Sequence, residues 1–150
     1  MSTINEYVVK LDRLANSMDI RLKDIILKNE GKLLSTIKLR LFQKSLDGDY
    51  NFLGTYALMT KKRKKAKGQI SNRVTLRDTG DWYNSMFIDF KNNQILVDAS
   101  DNKTDMLKDI YGDAILQLAD EEIEFFVDSV LDPELQKMID DLDSSINIDI

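Results

Sequence analysis

From Ile4 to about Leu46 the apolar residues fall at helical intervals, and no proline interrupts them. Ile4, Val8, Leu11, Leu14, Met18, Leu22, Ile25, Ile26, Leu33, Leu34, Ile37 and Leu41 form one continuous stripe. Steps of three and four place these side chains on one face of an amphipathic helix, so this third of the chain has to be helical and has to pack. Ser17 and Asp19 offer a cap within the run, and Gly31 weakens its middle. The spacing therefore predicts a short helix over about 3–16 and a longer one over about 18–46. Leu27, Leu39 and Phe42 widen the apolar face beyond one stripe, which predicts cover on more than one side, as from a neighbouring subunit.

The character then changes twice. Asp47-Gly48, Gly54 and Gly68 are break signals around a basic run, Lys61, Lys62, Arg63, Lys64 and Lys65, with Lys67 just beyond. So charged a stretch reads as an extended loop over 47–73 that orders only against something else. From Val74 alternation suggests strands: Val74 and Leu76, then Met86, Ile88 and Phe90. Asp78, Thr79, Gly80 and Asp81 make a turn in which Gly80 can take positive φ, and Asn92-Asn93 separates 86–90 from 95–99 as an antiparallel hairpin. Thr104 is placed to cap a helix that Gly112 ends. Asp120 starts another helix, with Ile123, Phe126, Val127, Val130 and Leu131 on its face. Asp132-Pro133 opens a last one to about Leu142, and 144–150 reads as a tail. Helices, a loop, a small antiparallel sheet and helices again make an α+β chain, read as a single domain over 1–150.

Charge is divided along the chain. Residues 1–97 hold 18 Lys/Arg against 10 Asp/Glu, giving +8, and residues 98–150 hold 3 against 16, giving −13. Such a chain is suited to head-to-tail docking, the basic part of one copy on the acidic part of the next. Histidine and cysteine are both absent. The usual neutral-pH base, the commonest metal ligand and every thiol function go with them, which points away from an enzyme. The N-terminus lacks an apolar signal core and no run is long enough to span a bilayer, so no membrane role is expected.

Few side chains suggest chemistry. Asp47, Asp49 and Asn51 alternate like the start of a calcium loop, but Phe52 and Leu58 stand where glycine and a bidentate glutamate are needed. Asp98, Asp101, Asp105 and Asp109 cluster without a ligand geometry. Glu30, Asp78 and Asp81 supply no distinct acid–base pair. No catalytic residue, metal or cofactor is expected. The basic run could neutralise nucleic-acid phosphates, although aromatic interleaving is poor; docking on an acidic protein face fits the charge division better.

Two segments bear a resemblance. In residues 55–86, Tyr56, Thr60, Lys67, Gly68, Leu76, Thr79, Gly80, Tyr83 and Ser85 resemble a pattern of tailed-bacteriophage virion-morphogenesis proteins, the neck, head-to-tail joining, tail-completion and minor tail families. Leu107, Tyr111, Gly112, Ile115, Leu116 and Leu118 resemble a second segment of such proteins in phages of gut Bacteroidetes. The resemblance implies a virion subunit, assembled in the host cytoplasm, that forms a homo-oligomeric ring or collar, either below the portal or within the tail, with the portal and neighbouring neck or tail proteins as partners. It implies non-specific proximity to packaged DNA as well. Tyr56, Thr60, Lys61, Lys62, Arg63, Lys64, Lys65, Lys67 and Gly68 would then make the subunit contact, with Asp78, Thr79, Gly80, Asp81 and Gly112 as structural turns. Members of these families often carry a glycine- and proline-rich loop after the hairpin, where this chain has a helix and an acidic segment.

Overall fold

The computed structural model describes residues 19–91 and 94–146. The expected helix over 3–16, the Asn92-Asn93 turn and the last four residues lie outside them. The chain divides into two compact units: one spans Glu30–Phe125, and the other is drawn from the chain on either side of it.

In the Glu30–Phe125 unit, the helical stripe becomes α2 (Glu30–Leu39), continued by a π-helical turn, Arg40–Lys44. The predicted 18–46 helix is therefore interrupted: α1 covers residues 19–28, and Asn29 makes a turn, its side-chain amide donating to the Ile25 carbonyl at 2.8 Å. Leu33, Leu34, Ile37 and Leu41 are buried as their spacing requires, and Ile37 and Leu41 are fully so. Burial at this level contributes roughly 1.5–3 kcal/mol per side chain. Leu39 remains 52% exposed.

Residues 47–73 are not an extended loop. Leu46 and Phe52 form a β-bridge, the Val74 N–H donates to the Gly54 carbonyl at 3.0 Å, and between these closures lies α3 (Leu58–Ala66). Lys, Arg, Leu, Met and Ala are good helix formers, and cations at the C-terminal end suit the helix dipole. Gly68, with φ 71°, closes α3 as the left-handed residue of a Schellman motif: the Gln69 N–H donates to the Lys64 carbonyl (2.8 Å) and the Gly68 N–H to that of Lys65 (3.1 Å).

Val74–Leu76 does not form the expected strand. All three residues are buried in succession, and Leu76 adopts φ 57°, which breaks extended geometry. The Thr75 and Leu76 N–H groups and the Thr75 carbonyl bond to tyrosine hydroxyls instead. After α4 (Asp81–Asn84), β1 (Met86–Lys91) pairs antiparallel with β2 (Gln94–Ala99), Met86 opposite Ala99 and Phe90 opposite Ile95. Two strands alone are marginal. This pair is held by the burial of Met86 and Ile88 and by the Glu30 carboxylate, which accepts the Ile88 N–H at 2.8 Å. The class is α+β.

α5 (Thr104–Tyr111) ends at Gly112, φ 92°, and a 3-10 turn (Asp113–Leu116) leads to α6 (Asp120–Phe126). In the other unit, a π-helical turn (Val127–Leu131) runs directly into α7 (Asp132–Ile146). Asp132 is therefore not an N-cap. Its φ and ψ are helical and its N–H reaches back to the Val127 carbonyl. That wider turn accommodates Pro133, which cannot donate to a regular ladder. α7 also extends to Ile146, into the region read as a tail. Among the described residues, no helix is long and apolar enough to cross a membrane.

Candidate interaction site around the basic helix

The basic run is not a uniform patch. Helical geometry turns Lys64 inward, and it is 9% exposed. Its ammonium donates to the Arg77 carbonyl at 2.9 Å and lies 4.6 Å from the centre of the Tyr56 ring. A buried ammonium needs such partners, a carbonyl and a π face. Lys61 and Thr60 flank it, half-buried. Lys62, Arg63 and Lys65 point outward with Leu58 and Met59, which are 69% and 70% exposed. Lys67 pairs with Asp78 at 3.1 Å, and the Gln69 amide donates to both the Asp78 carbonyl (2.9 Å) and carboxylate (3.2 Å). Hydrogen bonds from Lys67 and then Gln69, with the Lys67 charge, hold the Asp78 carboxyl below its usual value.

Tyrosines join α3 to the turn that follows. The Tyr56 hydroxyl accepts the N–H groups of Thr75 (2.8 Å) and Leu76 (3.3 Å), and the Tyr83 hydroxyl donates to the Thr75 carbonyl. Burial raises the Tyr83 phenol well above its ordinary value, and it raises Tyr111 as well, with a contribution from Tyr56. Gly80 takes φ 93°, as the turn needs, and Thr79 and Asp81 beside it are exposed. Trp82 is buried beside Tyr83, ring centres 5.8 Å apart, and donates to the Thr104 hydroxyl at 3.1 Å. That hydroxyl lies 2.7 and 3.0 Å from the carbonyls of Asp101 and Ala99. Thr104 is thus a buried hub and not the helix cap its position suggested.

The result is a cleft of about 160 Å³ in which the two resembling segments meet: Tyr56, Leu76, Thr79 and Gly80 from one, Leu107 and Tyr111 from the other. Gly112 ends α5 just after Tyr111 and does not line it.

Several of the polar residues weighed for chemistry have structural partners. The Asp47 carboxylate accepts the N–H groups of Asp49 and Asn51, both at 2.9 Å, which makes a turn. Asp98 pairs with Lys108 at 3.4 Å, and Asp101 accepts the Lys103 N–H. Among the described residues, no group of His, Cys, Asp or Glu side chains is arranged to hold a metal ion.

Sequence reasoning missed a buried ion pair. Arg40 donates to the Leu46 carbonyl (3.1 Å), the Ile115 carbonyl (3.2 Å) and the Glu122 carboxylate, which also accepts the Ala119 N–H at 2.9 Å. Both side chains are almost wholly enclosed, at 4% and 7% exposure. Beside this pair runs a groove of about 540 Å³ that includes Leu39, Tyr50, Glu121 and Phe125. Its acids were visible only as part of the general negative charge of the C-terminal third. No protein-family model, curated protein or solved structure matches the chain.

Proposed function

We propose that the chain is a structural subunit of a tailed-phage virion, one of several copies in a ring or collar that joins the portal-capped head to the tail, and not an enzyme. The observation that carries this reading is the convergence of residues 55–86 and 107–118, the two segments that resemble neck and tail-completion proteins, on one cleft. The residues of the resemblance act there as a scaffold. Tyr56 and Tyr83 hold the Thr75 backbone, Lys64 beside them ties α3 to the Arg77 carbonyl, and α3 presents cations and two bare apolar side chains outward. A face of that composition suits contact with protein, because interfaces combine apolar anchors with a charged rim. The test is particle composition. Mass spectrometry and antibody labelling of purified virions should find the chain in several copies at the head–tail joint. Particles that assemble, package and infect without it would overturn the proposal.

A nucleic-acid accessory role is the second reading, favoured by the exposed Lys62, Arg63 and Lys65. With Lys64 and Lys67 occupied inside the chain, about three phosphates could be neutralised, so log K should fall with log salt at a slope of about −3. Retention of DNA by the purified chain with that slope, abolished by reversing those three charges, would favour it.

A further inference from the structure

The outward face of α3 has a definite layout. Leu58 and Met59 occupy its first turn, Lys62 and Arg63 the second and Lys65 the third, so an apolar end is followed by cations along a helix about 13 Å long. Among the described residues, none of these three cations pairs with an acid of its own chain.

The groove beside α6 is complementary. Exposed Leu39 and Phe125, at 52% and 69%, give it an apolar floor, and Glu121 lies on its wall. Asp120 and Glu124 are exposed on the same helix. Three outward acids on α6 thus answer three outward cations on α3. Of the two cations lining the groove, Arg40 is already neutralised by Glu122, which leaves Lys44 at its edge. No residue of α3 lines the groove, and the bonds of Lys64 to Arg77 and Lys67 to Asp78 keep α3 in place. The match therefore has to be made between copies.

We propose that α3 of one copy seats in the α6 groove of the next, Leu58 and Met59 against Leu39 and Phe125, Lys62, Arg63 and Lys65 against Asp120, Glu121 and Glu124. The contact is heterologous, so each copy keeps one free α3 and one free groove until the chain of copies closes. It deepens the subunit reading, on which it rests only for the expectation that closure gives a ring. A helix this short buries less than the roughly 1,000 Å² of a stable isolated interface, so closure and low salt should strengthen the assembly markedly.

The experiment uses two full-length variants, K62E/R63E/K65E and E121K/E124K, with folding verified by circular dichroism. Self-association is read by sedimentation and native mass spectrometry at about 50 mM and about 500 mM salt, where screening lengths differ severalfold. The wild-type chain should associate, and more weakly by at least about tenfold at the higher salt. Each variant alone should lose at least about tenfold, since like charges then face each other. An equimolar mixture of the two should regain association, because each supplies the charge the other now lacks. Wild-type oligomers that persist in both variants would overturn this pairing while leaving a ring built through another face. A mixture that associates only as open chains would support the pairing and remove the ring. A wild-type chain that stays monomeric at both salts, or variants that fold but do not recover on mixing, would refute the pairing.

Discussion

Glu122→Leu is the substitution with the largest expected effect on the Glu30–Phe125 unit. It removes the counter-charge that pairs with Arg40 in its enclosure and leaves the guanidinium with the Leu46 and Ile115 carbonyls. Isolating one member of a buried pair costs about 3–5 kcal/mol. The Ala119 N–H loses its acceptor too, for about 1–3 kcal/mol more, part of which overlaps with the first loss. The sum is about 4–6 kcal/mol, a large share of the roughly 5–15 kcal/mol that holds a native protein folded. At about 2–4 °C per kcal/mol for a chain of this length, Tm should fall by roughly 8–24 °C. Glu122→Gln should cost less, about 1.5–3 kcal/mol. It keeps the oxygen that both donors use and loses only the charge assistance, because among the described residues the second carboxylate oxygen has no hydrogen-bond partner. Arg40→Met should resemble Glu122→Leu in size. The double variant should be less destabilised than the sum of the singles by about 2 kcal/mol or more, since neither charge is then left alone. Trp82 is the only tryptophan of the chain and is buried in the same unit, so urea unfolding followed by its fluorescence reads all four variants. Additivity of the two singles within about 0.5 kcal/mol would refute the claim that they act as one buried pair.

Three further predictions concern the same unit. Gly48→Ala should destabilise by about 1–3 kcal/mol, because a Cβ there would lie 2.7 Å from the Gln117 carbonyl oxygen and 2.9 Å from that of Ala114. Gly31→Ala, on an open helical surface, should stabilise by about 0.5–1 kcal/mol; denaturation midpoints with equal signs would contradict this. Lys64→Ala should cost about 2 kcal/mol through its lost bond and stem packing, whereas Lys62→Ala should stay within about 0.5 kcal/mol, and equal thermal shifts would show that the run is not divided as described. Burial raises the Tyr83 pKa in the folded chain, so its contribution is intact below the unfolded phenol value of about 10 and is lost as pH rises above it. Tyr83→Phe should therefore lower stability at neutral pH and flatten its alkaline decline, and an unchanged alkaline slope in urea titrations would count against the assignment.

What could be read from the sequence was whatever repeats or interrupts locally. The Leu33–Leu41 face, the 86–99 hairpin and the positive φ of Gly80 and Gly112 each follow from spacing or residue type within a few positions. What was not legible depends on partners far along the chain. Glu122 lies 82 residues from Arg40, and nothing marks either as buried among so many charges. Gly48 reads as a turn residue, and its close approach to Ala114 and Gln117 has no local signature. Thr104 sits where a cap belongs, but Trp82, 22 residues earlier, claims its hydroxyl. The basic helix shows the same division most sharply. Five consecutive cations carry no periodicity, so low hydropathy alone makes them a loop. The Arg77 carbonyl, thirteen residues beyond Lys64, supplies the acceptor that selects one lysine for burial. Once Lys64 is turned inward, the helical period assigns Lys62, Arg63 and Lys65 to the outside together with Leu58 and Met59. The outward face is thus set by an inward bond, and removing that bond should disturb the proposed docking surface even though Lys64 itself never reaches it.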